Sequence, residues 1–239
     1  MNDVLKALGR AFSSLAAPRI LWLMVWPLLL SVAGWAVVAV VFAPDLVAQL
    51  AAWAASESLP KWIPAAAITG AVGWLLVLVA YLALVVVTTG VILGAFSMPF
   101  VVSFVAERDY PGLERKRGGT FAGSVWNGLA ALAIFLALAV LTLPLWVFPV
   151  LWPFLLVALF TLLNTRVFRY DALADHASPE EMREIASRDR SGLHMLGAIT
   201  AAVGLIPIAG FFSPVVGGLA FAHYGLGRLA ALRAGASGR

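Results

Sequence analysis

Residues 62–106 read WIPAAAITGAVGWLLVLVAYLALVVVTTGVILGAFSMPFVVSFVA, 45 residues without a single charge. The hydrocarbon core of a bilayer is about 30 Å thick, and about 20 helical residues cross it. As one straight helix this stretch measures about 67 Å. It must therefore tilt, project beyond the bilayer or break, and Gly90, Gly94, Ser97 and Pro99 are the expected break points. A clean span over 66–89 then leaves residues 90–106 to run toward the interface. Gly90 and Gly94 also form a GxxxG, which lets a neighbouring helix come close.

The rest of the composition agrees with a membrane solvent. Of 239 residues, 62% are hydrophobic and 12% charged, and mean hydropathy is +0.97. Soluble domains average roughly 45–50% apolar and about 25% charged. A water-soluble globule has no way to hide this much apolar side chain, so disorder, a disulfide scaffold and nucleic-acid binding are excluded. Cysteine is absent, which removes disulfides, thiolate metal sites and Cys nucleophiles. His176, His194 and His223 lack metal-ligand spacing, so neither a metal nor a cofactor is expected.

Charges divide the chain around residues 62–106. In residues 1–19, Val4, Leu5, Leu8, Phe12 and Leu15 share one helical face, with Asp3, Lys6 and Arg10 off it. That pattern reads as an amphipathic helix at the membrane surface rather than a signal peptide. Residues 20–44 form a first transmembrane helix with Pro27 as a kink. Residues 45–61 are mixed, with a short interfacial helix around 47–54. Residues 118–165 read as a helical hairpin with arms 123–143 and 150–165, broken at Pro144, Pro149 and Pro153. Residues 166–190 form a polar cytoplasmic segment, where Ser178-Pro179-Glu180-Glu181 is a capping box that opens a helix reaching about Arg188. Residues 191–227 form a second hairpin, broken at Pro207, Gly210 and Pro214. Its arms of roughly 14–16 residues measure about 21–24 Å, short of a full span. Residues 228–239 are a basic tail. The fold class is an all-α integral membrane protein forming a single membrane domain. It has an N-terminal amphipathic helix, two long transmembrane helices and two Pro/Gly-broken hairpins that either span or re-enter on one side.

With the amino terminus inside, all loops rich in cations fall on the cytoplasmic side. Of 16 Lys and Arg residues only Lys61 lies outside, a strong positive-inside asymmetry. Both termini are then cytoplasmic.

Three stretches carry a family likeness. The first is Ser14-Leu-Ala-Ala-Pro-Arg-Ile-Leu-Trp-Leu-Met-Val-Trp-Pro-Leu-Leu29, with Pro18 at its turn. The second is Met98-Pro99-Phe100, followed by Ala106-Glu107-Arg108. The third is Gly197-Ala-Ile-Thr with Leu205-Ile206-Pro207 and Pro214 beyond. In order and spacing they resemble the CysZ-type sulfate permease family, within the wider etoposide-induced-protein domain superfamily. The resemblance implies two long transmembrane helices, two hairpins that penetrate partway from the cytoplasm, a homo-oligomer, and movement of sulfate across a bacterial-type inner membrane. Two departures stand out. The Gly and paired arginines that sulfate-handling members carry after the first proline are replaced here by Arg19, Ile20, Leu21 and Trp22. The polar Asn after Pro-Phe is replaced by Val101.

For a small inorganic anion, the expected binding residues are Arg19, Gly210, Ser213, Gly217 and Gly218. Ser213 would cap a helix that starts deep in the membrane, with Pro214 in its first turn, and its positive dipole end would face the anion. The glycines would allow close backbone approach. The competing reading is a hairpin turn that needs small residues. Arg19, at the mouth of helix 20–44, meets either the anion or lipid phosphate. Asn127 and Asn164 read as interhelical hydrogen-bond donors. No Asp, Glu, Lys or Arg lies within an apolar core, so passive or weakly coupled passage is expected, and no catalytic constellation is visible. The partners are the lipid bilayer, an anion and further copies of the chain, with no nucleic acid. The alternative is a non-transporting scaffold of the same fold, acting through segments 107–117 and 166–190.

Overall fold

The computed structural model describes residues 2–56, 68–206 and 209–237. All elements in them are helical: α1 (Asn2–Leu15), α2 (Pro18–Ser56), α3 (Gly73–Asp109), α4 (Phe121–Leu141), α5 (Trp152–Ala174), α6 (Pro179–Arg188), α7 (Arg190–Gly204) and α8 (Ser213–Ser237). The chain is an all-α membrane protein. Among the described residues, five helical stretches are long and apolar enough to cross a bilayer: Pro18–Trp53, Gly70–Asp109, Phe121–Leu141, Pro149–Ala174 and Gly210–Ala236. The chain divides into two units, residues 23–92 and residues 1–22 with 93–239.

Within residues 23–92, two polar contacts between α2 and α3 are seen among the described residues. Trp35 Nε1 donates to Thr88 Oγ1 at 2.9 Å, and the Tyr81 hydroxyl donates to the Val32 carbonyl at 3.2 Å. The expected end of the first transmembrane helix at residue 44 is not an end. α2 continues through both Pro27 and Pro44 to Ser56. Asp45 marks where the chain meets polar surroundings, whereas a helix stops only when its hydrogen-bond ladder stops. Ala43 and Val47 are both buried on either side of Pro44, and that packing outweighs the one bond proline removes.

The expected break at Gly90–Pro99 is also absent, since α3 passes through all four residues. At 37 residues it is about 55 Å long, so it tilts or projects. Leu93, Met98, Val101, Val102 and Val105 are all at most 3% exposed, and this packing keeps the helix continuous through Pro99. The irregularity lies upstream, in a wide turn over Ile68–Val72 where Gly70 (φ −83°, ψ −111°) leaves helical geometry. Gly90 and Gly94 meet no side chain among the described residues: a Cβ at either would have nothing within 4 Å.

In the other unit, α1 shows a different buried face from the expected one. Val4, Ala7, Ala11 and Ser14 are buried, packing on α8. Leu5 and Phe12 are 59% and 56% exposed. The expected stripe mixed two faces: Val4 is buried and Leu8 and Leu15 partly so, with Ala7, Ala11 and Ser14 completing the docked face, while Leu5 and Phe12 lie outside it. α4 and α5 form the first hairpin, 21 and 23 residues long, about 31 and 34 Å, so each is long enough to span. α5 runs nine residues past the expected end at 165, because Leu173 and its neighbours enter a buried core. Trp152 Nε1 donates to the Trp146 carbonyl at 2.8 Å and closes the proline-rich turn.

The second hairpin is unequal. α7 has 15 residues, about 22 Å, while α8 runs 25 residues and absorbs most of the expected basic tail. Of the most apolar part of Gly210–Ala236, 72% is buried in protein, against 6–11% for the other four stretches. α8 is therefore the axis of this unit, with α1, α5 and α7 packed around it.

A polar cap closes one end. Ser178 and Glu181 form the capping box read from the sequence. Glu181 also receives Arg233 Nε and Nη2, both at 3.0 Å, and Lys116 Nζ at 3.0 Å. The two-pronged Arg233 contact and the Ser178 N–H hold the Glu181 carboxyl down at about 2. Gly118 donates its N–H to the Ala177 carbonyl at 2.9 Å. A Cβ there would sit 2.7 Å from Pro179 N, so only glycine lets the two backbones come this close.

Candidate functional site: a cationic cavity between α1, the end of α3 and α8

Ala7 and Ala11 bring α1 close to α8. Lys6 and Arg10, one turn apart on the adjoining edge, then face outward beside the contact. Tyr110 follows the last turn of α3, its N–H donating to the Ala106 carbonyl at 3.0 Å. These elements flank a cavity of about 270 Å³ lined by Lys6, Arg10, Tyr110, His223, Gly227 and Arg228, and by one carboxylate, Asp3. The size owes much to Gly227, where a Cβ would sit 3.0 Å from the Tyr110 oxygen.

The charges are unevenly matched. Arg228 is neutralised by Asp3 at 3.2 Å and by Asp189; its Nε is buried and has no hydrogen-bond partner among the described residues. Arg10 Nη1 donates to the Tyr110 hydroxyl at 3.3 Å. Among the described residues neither Lys6 nor Arg10 pairs with a carboxylate. Burial raises the Tyr110 phenol above its ordinary value, and Arg10 opposes that only in part, so at neutral pH the phenol keeps its proton. That proton points to the His223 carbonyl at a long 3.5 Å and can turn to a better acceptor. His223 is buried; its Nε2 lies 3.0 Å from Ser14 Oγ and its Nδ1 3.2 Å from Asp109 Oδ2. The ring thus links α1, α3 and α8 behind the cavity. Two unmatched cations and a turnable O–H suit a small anion, whose oxygens would take charge-assisted hydrogen bonds.

The residues expected to bind anion are scattered. Arg19 is largely exposed and lies 3.6 Å from Glu107, which also accepts from Ser103 Oγ at 3.1 Å. Pro18 opens α2, Pro99 lies inside α3, and Phe100 is exposed. Gly210 packs on the Gly204 carbonyl. Ser213 is already helical (φ −55°, ψ −32°), because the short turn Gly210–Phe212 leads directly into α8. It therefore lacks the extended geometry of an N-cap. Pro214 follows it in the first turn of α8, and Pro207 lies outside the described residues. A Cβ at Gly217 would meet the Phe168 ring at 2.7 Å, and one at Gly218 the Met98 sulfur at 2.9 Å. Both glycines are helix-packing points, and none of these residues lines the cavity.

Lys6, Arg10 and Tyr110 were missed as a group. One local signal was available: Arg10 has no acidic residue three or four positions away, so no partner on its own helix.

The family model described as "Sulfate transporter CysZ/Etoposide-induced protein 2.4" matches residues 7–214. The chain belongs to this family. It is a multi-pass membrane protein of a transporter family. The match takes in Arg10, Arg19 and Tyr110; Lys6, His223 and Arg228 lie beyond its ends. No curated protein and no solved structure matches the chain.

Proposed function

We propose that the protein is a permease or channel for a small inorganic anion, sulfate being the first candidate. The cavity with the unmatched Lys6 and Arg10 carries this reading, since two positive charges suit one divalent oxyanion. In this reading both termini face the cytoplasm of a bacterial-type inner membrane, as the single outside cation, Lys61, supports. The basic mouth raises the local anion concentration. Lys6 and Arg10 hold the anion, Tyr110 turns its O–H onto it, and His223 keeps α1 and α3 in register with α8. Net flow follows the anion gradient. The protein works as a homo-oligomer in the bilayer, as the family resemblance implies. The scaffold alternative is less favoured, because Lys116, Glu181 and Arg233 spend their charge on one another rather than on an exposed face.

The test is uptake of labelled sulfate into proteoliposomes, with phosphate and chloride as competitors. Saturable uptake that falls at least about tenfold in Lys6→Ala/Arg10→Gln, equivalent to about 1.4 kcal/mol, supports the reading. Loss on Arg19→Ala instead would move the site to the mouth of α2. Wild-type uptake no faster than in empty liposomes, for every anion tried, would sink the permease.

A further inference from the structure

A second cavity, about 360 Å³, opens between α4, α5 and α7, and no acidic residue is among those lining it. Its lining changes character along its length. Asn127, Arg166, Arg169 and His194 stand at one end, Ile134, Phe135 and Leu162 at the other. α4 and α5 are the two arms of one hairpin, so the register of these groups is fixed at both ends. At the polar end Asn127 Nδ2 donates to the Arg166 carbonyl at 3.0 Å. At the apolar end the rings of Phe135 and Phe160 are 5.2 Å apart. From Arg169 to Leu162 the cavity descends about 10 Å along α5, and from Asn127 to Phe135 about 12 Å along α4.

Arg166 and Arg169 are one turn apart, so their side chains are neighbours on one face. Neither has an acidic residue three or four positions away, and neither pairs with a carboxylate among the described residues. His194 Nδ1 bonds the Arg190 carbonyl at 2.8 Å, which leaves Nε2 for the cavity. Leu162 and Ile134 are 42% and 41% exposed, so the apolar end opens sideways rather than closing over a ligand.

We propose that this groove binds an anionic phospholipid, its headgroup phosphate on Arg166 and Arg169 and an acyl chain lying along Leu162, Ile134 and Phe135. The shape separates this occupant from a free oxyanion. Here the apolar part of the lining is segregated at one end and laterally exposed at Ile134 and Leu162, which offers a free ion nothing and an acyl chain a bed. The charge selects among lipids: two guanidinium groups meet a phosphate, and no carboxylate lines the groove to receive the ammonium of a zwitterionic headgroup. Basic pockets between transmembrane helices recognise acidic headgroups by the same chemistry. The site shares no residue with the Lys6–Arg10 cavity, so it stands or falls separately from the permease reading.

The test is native mass spectrometry and thermal shift on the delipidated full-length protein. Phosphatidylglycerol, phosphatidylcholine and inorganic phosphate are added in separate arms. Phosphatidylglycerol should bind at least tenfold tighter than phosphatidylcholine and raise Tm, and millimolar phosphate should not compete. Arg166→Gln/Arg169→Gln should lose that preference, while Arg166→Lys/Arg169→Lys, which keeps the charge and guards against a folding defect, should retain most of it. Leu162→Ser should weaken binding several-fold. Lys6→Ala/Arg10→Gln should leave it unchanged, whatever happens to sulfate uptake. Equal binding of the two lipids, unchanged preference in the Gln variant, or displacement by inorganic phosphate would overturn the proposal.

Discussion

In residues 23–92 the bulky side chains point outward: Val37, Val40, Phe42, Leu75 and Val87 are all more than half exposed. In the cap around Glu181 the order is reversed. Leu173, Ala177, Ile185 and Leu229 are at most 2% exposed, and the charges form a connected set above them. The same helical chain meets two solvents. Where lipid surrounds it, apolar residues gain nothing by turning inward, and among the described residues the Trp35–Thr88 and Tyr81–Val32 hydrogen bonds join α2 to α3. Where water surrounds it, burial of apolar surface drives folding again, and the ion cluster fixes which loop sits on which helix. Stability should therefore be concentrated in the cap and spread thin in residues 23–92.

The most damaging change predicted is Glu181→Ala. It takes from Arg233 and Lys116 their shared carboxylate and removes one half of the capping box, and should cost about 3 kcal/mol, read as loss of folded protein in detergent. A pH titration tests the same cluster without mutation. Glu181 titrates at about 2 in the folded protein, below its ordinary value of 4.5. Its contribution is thus complete above pH 4.5 and is lost as pH falls toward 2, at most about 3 kcal/mol before solvent screening reduces it. His176, pushed down chiefly by burial, acts in the same direction, with its contribution complete above about 6.5. A Glu181→Gln variant should flatten the acid limb; an unchanged profile would remove the cluster as its cause.

Gly118→Ala comes next, at about 2 kcal/mol, because the new methyl meets backbone that has no room to yield. Trp35→Phe should cost only about 0.6 kcal/mol, the scale of an interhelical hydrogen bond in lipid, measured as a small fall in Tm. The smallest effect belongs to Gly90→Ala, where a methyl meets open space and Tm should change by no more than surface substitutions do, within about 0.5 kcal/mol. A large loss at Gly90 would break the comparison, since it would show tight packing on that face of α3.

Reading the chain from its residues succeeded where the governing interaction is local. Ser178 and Glu181 are three positions apart and cap one turn, so their box was legible. Failure came where distant parts compete. The charge at Asp45 looked like the end of a helix and Pro99 like a break, yet α2 and α3 pass through both because neighbouring side chains are buried. The stripe on α1 was drawn from hydrophobicity alone; of its residues Val4 is buried, and Ala7, Ala11 and Ser14 make up the rest of the buried face. Gly217 and Gly218 looked like space for a ligand, but Phe168 and Met98 fill it.

By itself the sequence determined the solvent, the all-α class and the family. Each follows from quantities that add along the chain: apolar run length, charge placement and the order of short motifs. Tertiary structure alone decided that α8 is the central helix and that Lys6, Arg10, Tyr110 and Arg228 share a cavity. Arg10 and Tyr110 are 100 positions apart, and no periodicity spans that distance. Their meeting depends on the close fit of α1 on α8, which is a matter of shape between surfaces rather than of pattern within either one.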